Sequence, residues 1–441
     1  MKEPLEPTDI SEKQQTKASR QGLMTVVGCC IVLSCIGGGQ TLVGITIPSI
    51  CAELNIATGQ AGLYVLLSTF TAFVSGLIGT KFLAFLTPRW SMLLGVLAET
   101  AFLVIAGTAQ SLPVLISAGF FGGIALSCTF PPIASLMSLH FRENSGKWFG
   151  LTTGTQVFLV AGLIKIAGFL LKTHEYRFVI LVFALINIVV GTLLCFLLIR
   201  QPKRSVMRAK MKEDAAKKAA DEAARAKEAE SGEGEDAFYQ GLTIKEALGK
   251  PSLYLFGIGL IAGAIITGSM TTYGSSFFVT FGMTQAEAAD MMSMYTLFCG
   301  VHVLWTGFFQ ARFGSRAFII VQYAAILVGV LLLVLWASNQ SFIFVVFGLL
   351  LVSFIKPINS TPALLLPDLF GRKNYLAFNS LSNGIYYAGV CISSQSTAAI
   401  LTALGGSRAF IYLGIMAVIA LVVFNAALSL SPMKRIQRAN K

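Results

Sequence analysis

Twelve apolar runs, most of about 20 residues or more, constrain this chain more than any other feature. They lie near 22–49, 59–85, 91–109, 112–139, 147–171, 177–200, 252–280, 286–310, 316–337, 341–366, 374–404 and 408–431. A bilayer offers the backbone no hydrogen-bond partners, so a spanning segment must be a helix or part of a closed barrel. Barrel strands are only about 10 residues long, so these runs are helices. With 55% hydrophobic and 12% charged residues in 441, an ordinary soluble domain is excluded. The expected fold is an all-α membrane protein of twelve transmembrane helices in two pseudo-symmetric six-helix bundles.

The formal charge of +12 does not point to nucleic acid, because the basic residues are concentrated in loops and tails. Lys2, Lys13, Lys17, Arg20, Lys81, Arg89, Arg142, Lys147, Arg312, Arg316, Arg372, Lys373 and the final Lys434, Arg435, Arg438 and Lys441 fall on one side; Lys172, Arg177 and Arg408 fall on the other. Both termini are therefore expected in the cytoplasm, and the chain in the cell's inner membrane. The boundaries read as an amino tail over 1–21, a first bundle over 22–200, a cytoplasmic linker over 201–251, a second bundle over 252–431 and a tail over 432–441. The Ala, Lys and Glu content of 204–236 favours a solvated, fraying helix without an apolar stripe. The eight cysteines show no CxxC pair and read as apolar fillers. No GxxxxGK[ST] loop is present, so nucleotide hydrolysis is not expected to drive the protein. No cofactor, metal or enzymatic activity is expected; the partners are a small-molecule substrate and the bilayer, and the chain is expected to be a monomer.

The halves repeat weakly. Arg89 closes the loop after the second span and Arg316 the loop after the eighth, 227 residues apart. The same offset sets Lys147 and Trp148 after the fourth span against Asn374 and Tyr375 after the tenth. Duplicated six-helix units of like orientation suit a transporter with its substrate between the halves near midplane.

In this organisation the chain resembles the major facilitator superfamily. That family's loop motif is approximated by GFFQARFGSR, in which Gly307, Arg312, Gly314 and Arg316 match; in the first copy, TKFLAFLTPR, little beyond Arg89 remains. Ala84 and Ala311 stand where the family usually has aspartate. The segment GLTIKEALGKPSLYLF before and into the seventh span resembles the oxalate/formate antiporter and monocarboxylate-porter branch. The resemblance implies a cavity lined by the first, fourth, seventh and tenth spans, with gating loops at Arg89 and at Gly307, Arg312, Gly314 and Arg316. In that branch intramembrane basic residues hold substrate carboxylates, one of them on the eleventh span. Here the eleventh span is uncharged and the lysine stands on the tenth.

That residue, Lys356, leads the candidates. A lysine in mid-membrane costs about 2.5–3.5 kcal/mol on insertion scales, so it normally faces a wet cavity. On the tenth span Ser353, Lys356 and Ser360 form one polar stripe. Lys356 reads either as a contact for an anionic substrate or as a structural lysine capped by carbonyls freed at Pro357. On the eighth span Tyr295, Cys299, His302 and Thr306 share a face, and His302 is either a ligand donor or a residue satisfied by a neighbouring helix. Asn379, Asn383 and Tyr386 on the eleventh, Thr267, Thr271 and Ser275 on the seventh, and Gln40 after three glycines on the first supply polar groups that serve equally as helix glue. Lys165 on the fifth lies toward the outer end and suits either a substrate contact or a snorkelling role. Glu99 on the third is expected to pack or snorkel.

No acid falls in the core of the first, fourth, fifth, seventh, eighth, tenth or eleventh span, which disfavours a cationic substrate. The expectation is a carrier of a small organic anion, a mono- or dicarboxylate, by exchange, facilitated or proton-linked transport. Carriage of a neutral or zwitterionic solute with Lys356 structural is the alternative, and a membrane receptor is a second.

Overall fold

The computed structural model describes residues 7–82, 87–141, 145–199, 241–359, 361–371 and 374–433. The expected linker helix over 204–236 lies outside them. Among the described residues there is no strand, only an isolated bridge between Gly241 and Gly371. Among the described residues, eight helices are long and apolar enough to cross a membrane: Gln21–Leu54, Pro88–Thr108, Trp148–Leu170, Tyr176–Leu197, Pro251–Val279, Gln285–Gln310, Arg312–Asn339 and Gly406–Ser429. They are the first, third, fifth, sixth, seventh, eighth, ninth and twelfth spans. Leu63–Phe82 and Tyr375–Leu404 supply the second and eleventh. The fourth and tenth spans complete the set as broken helices.

Local chemistry sets many of the ends. Pro88 and Pro251 sit at helix starts, where a missing N–H costs nothing. Thr284 and Glu287 close a capping box at the start of the eighth span, as Thr243 and Glu246 do on the short helix Ile244–Leu248. The eighth and ninth spans run as one helical stretch interrupted at Gly314, whose φ of 82° and ψ of 165° are open only to glycine. The first helix begins at Pro7, well before its apolar run, where a polar tail was expected.

The two broken spans are the structural form of the repeat. The fourth runs Leu112–Ser127, pauses at Cys128 and Thr129, and resumes as Phe130–Phe141. The tenth runs Phe342–Val352, tightens into a 3₁₀ segment Ser353–Asn359, and resumes as Thr361–Phe370. The 227-residue offset carries Thr129 onto Lys356, so both breaks fall at the same register. Within the first half the second span packs closely on the fourth, and within the second half the seventh packs on the eleventh and twelfth. Across the halves the first meets the seventh, the fifth meets the eighth, and the second meets the eleventh.

Candidate functional site

The break in the tenth span decides what Lys356 is free to do. A 3₁₀ segment with an internal proline releases carbonyls from the α ladder, and these could have claimed the ammonium. Two carbonyls of the segment already have donors. Gln322 Nε2 of the ninth span donates to Phe354 O at 3.0 Å, and Thr361 Oγ1 donates to Pro357 O at 3.2 Å. Lys356 is half-buried, and no described residue forms an ion pair or hydrogen bond with it. It lies in the electrostatic range of buried Cys299 on the eighth span. The 3₁₀ period of three brings Ser353 and Lys356 onto one edge, so the expected α-helical stripe does not apply, and Ser360 lies outside the described residues.

His302 is buried one turn along the eighth span from Cys299. Its ring rests on Phe354 with centroids 3.8 Å apart, and Nδ1 is 2.8 Å from Ser353 Oγ. Ser353 gives its one proton to Leu350 O at 2.6 Å, so its oxygen accepts from Nδ1–H. The histidine therefore ties the eighth span to the tenth beside Lys356, and its ring is anchored rather than free.

The seventh-span hydroxyls turn toward backbone. Thr267 donates to Gly263 O and Thr271 to Thr267 O, while Ser275 crosses to the first span and donates to Ile45 O at 3.0 Å. On the eleventh span Asn379 and Tyr386 are half-buried and Asn383 is exposed; Tyr386 meets Tyr387 edge-on at 5.7 Å. Gln40 is half-buried on the first span, and its Nε2 donates to Glu99 Oε2 at 2.7 Å. Glu99 has no exposed surface, so it does not snorkel. Neither span alone shows the pairing; the mid-span level that Glu99 shares with Gln40 is the signal the sequence carries.

Lys165 is engaged elsewhere. Its Nζ lies 2.8 Å from Asp290 Oδ1 of the eighth span, with the lysine side chain 63% exposed, so it bridges the halves at their rim. Asp290 lies outside the core of its span, where acids carry little signal in the sequence. This pair belongs to a set of contacts joining the halves at the end away from the chain termini. Ser49 donates to Gln285 Oε1, Gln285 Nε2 donates to Ile45 O, and Ser293 donates to Ala161 O. Exposed ion pairs contribute about 0.2–1 kcal/mol. A double-mutant cycle with Lys165→Ala and Asp290→Ala, read by thermal unfolding, is expected to give a coupling below about 1 kcal/mol.

Two of the loop residues expected to gate, Arg89 and Arg316, hold neighbouring helices. Arg89 Nη2 donates to Phe196 O at 2.8 Å and its guanidinium lies 4.5 Å from the Phe196 ring centre, fixing the third span to the sixth. Arg316 reaches Asn425 and Ser429 of the twelfth. Arg312 is exposed beside the Phe313 ring, Gly307 lies within the eighth span, and Gly314 makes the break after it. Four residues after Ala311, Ser315 Oγ donates to Asp368 Oδ2 of the tenth span at 2.5 Å, and Gln310 Nε2 donates to Ser315 Oγ at 3.0 Å.

The same architecture recurs among solved transporters. A D-xylose-proton symporter aligns with a TM-score of 0.71 at 12% identity, over 91% of this chain and 97% of that chain. The nucleoside transporter NupG gives 0.64 at 13% identity, over 93% of this chain and 98% of that chain. A bacterial homologue of the human lysosomal transporter Spinster, in an inward-facing and unoccupied conformation, gives 0.64 at 13% identity, over 93% and 96%. These identities speak for the fold alone. No curated protein matches the sequence. Residues 29–362 match the family profile described as Major Facilitator Superfamily, which covers most of the twelve spans. The chain belongs to the Major Facilitator Superfamily, and is a multi-pass membrane transporter that works by alternating access.

Proposed function

We propose that this transporter carries a small organic anion, a mono- or dicarboxylate, with Lys356 as its charge partner. The supporting observation is an ammonium at the break of the tenth span that has no counter-charge among the described residues, while Phe354 O and Pro357 O of the same 3₁₀ segment already have donors. A cation desolvated without a partner is costly, and an anion entering beside it relieves that cost. Thr267, Thr271, Gln40, Asn379, Asn383 and Tyr386 would orient the ligand through neutral hydrogen bonds, with His302 holding the eighth and tenth spans in register beside it. Lys165 is left out because Asp290 takes it. The protein would act as a monomer in the plasma membrane with both termini cytoplasmic, by exchange, facilitated or proton-linked transport.

A second reading, carriage of a neutral or zwitterionic solute, is favoured by the abundance of uncharged hydroxyl and amide groups on the seventh and eleventh spans. Thermal unfolding of the purified protein across carboxylates, amino acids, sugars and organic cations separates the two. Ligand at 100 times its Kd stabilises the folded state by about 2.7 kcal/mol. A rise confined to carboxylates is expected. A rise with neutral solutes alone would replace the anion reading by the second.

A further inference from the structure

The first half holds a carboxyl that carriage of an anion at Lys356 does not use. Glu99 is fully buried at mid-length of the third span, and only one of its oxygens is engaged: Oε2 accepts from Gln40 Nε2 at 2.7 Å, while Oε1 has no hydrogen-bond partner. The space around the pair is made by glycine. A Cβ on Gly39 would stand 2.5 Å from Glu99 Oε1, and a Cβ on Gly122 of the fourth span would stand 3.0 Å from Gln40 Nε2.

The titratable groups facing Glu99 are Cys35 of the first span and Tyr64 of the second. Gly122 of the fourth span lies against Gln40, Ser68 and Phe102. Asn187 of the sixth gives its Nδ2 to Val96 O and Thr100 Oγ1 of the third. No lysine, arginine or histidine among the described residues forms an ion pair with Glu99. An ionised carboxylate accepts about four hydrogen bonds, and here a single neutral donor reaches it. Burial of a full charge on those terms is far costlier than burial of a neutral carboxyl.

We infer that Glu99 is a proton-binding site of the first half, and that half-buried Gln40 links it to the central cavity. With the proton on Oε1, Oε2 is a carbonyl oxygen that still accepts from Gln40. A hydrogen bond to a neutral acceptor is weaker than one to a carboxylate, so proton binding loosens the hold on the Gln40 amide and frees it for a ligand. By reciprocity, a ligand that engages Gln40 favours the proton on Glu99. This linkage rests on Gln40 facing the substrate; the proton site itself does not.

Infrared spectroscopy of the purified full-length protein tests both parts without a ligand, so the outcome is separate from that of the carboxylate panel. At neutral pH the wild type is expected to show the carbonyl stretch of a protonated buried carboxyl, lost in Glu99→Gln. The band is expected to move to higher frequency in Gln40→Ala, where the donor to Oε2 is gone, and to lower frequency on transfer to heavy water. Should Glu99→Gln fail to fold, Glu99→Asp is expected to displace the band. Wild-type and Glu99→Gln spectra without this difference at neutral and acidic pH would overturn the proton site. A band unmoved by Gln40→Ala would overturn the link to the cavity.

Discussion

Lys356→Ala is expected to abolish stabilisation by carboxylates while leaving the ligand-free protein at least as stable as the wild type. The two halves of this result have one cause. In the empty state the Lys356 ammonium is half-buried with no counter-charge among the described residues, so its removal relieves a desolvation cost. In the loaded state the same removal leaves a carboxylate without a partner, a loss of about 2–5 kcal/mol. That converts to a fall in affinity from about 30-fold to several thousand-fold. Lys356→Arg is expected to keep part of the response, because the charge remains while the planar fork changes the geometry. Carboxylate stabilisation that survives in a well-folded Lys356→Ala protein would remove the residue from the binding site.

Gly123→Ala is expected to be among the most damaging single substitutions outside the cavity. The fourth span approaches the second through Gly119 and Gly123, four residues apart on one face. A Cβ at Gly123 would stand 2.3 Å from Ser68 O and 2.6 Å from Thr71 Cβ, and one at Gly119 would stand 2.1 Å from Tyr64 O. Because the obstacles include backbone oxygens, no side-chain rotation relieves them and the helices must separate. Overpacking costs about 1–3 kcal/mol even where side chains can shift, so Gly123→Ala should reach or exceed that range. Gly150→Ala is the matched control: nothing lies within 4 Å of its would-be Cβ, and in a helix the change is neutral or mildly stabilising. Thermal unfolding of the two variants side by side checks the contrast, and equal midpoints would show that the second and fourth spans are not locked by this contact.

Apolar run length carries the fold, because it follows from the bilayer and needs no knowledge of neighbours. Lys356 stood out for the same reason, as a charge where lipid tolerates none. The partners of these residues were less legible. Gln40 and Glu99 lie on different spans, and nothing in either run states that the first and third helices meet at that level. Lys165 reads as available from its own span because its partner, Asp290, stands on the eighth. Length alone makes the tenth span one helix, whereas its middle, Ser353–Asn359 with Pro357 inside, tightens into 3₁₀ geometry. Ser353 then meets His302, a contact that helical periodicity alone does not give.

The contacts that join the halves away from the termini are mostly neutral. Ser275 and Gln285 both donate to the carbonyl of Ile45, Ser293 donates to that of Ala161, and Lys165 with Asp290 is the ion pair among them. Counter-ions screen charges but leave amide and hydroxyl bonds almost untouched, so the balance between closed and open mouths should vary little with ionic strength. Each such bond contributes a net of only about 0.5–1.5 kcal/mol, because water replaces the lost partner as the mouth parts. A set of contacts of this composition is one that thermal motion can release without an external source of energy.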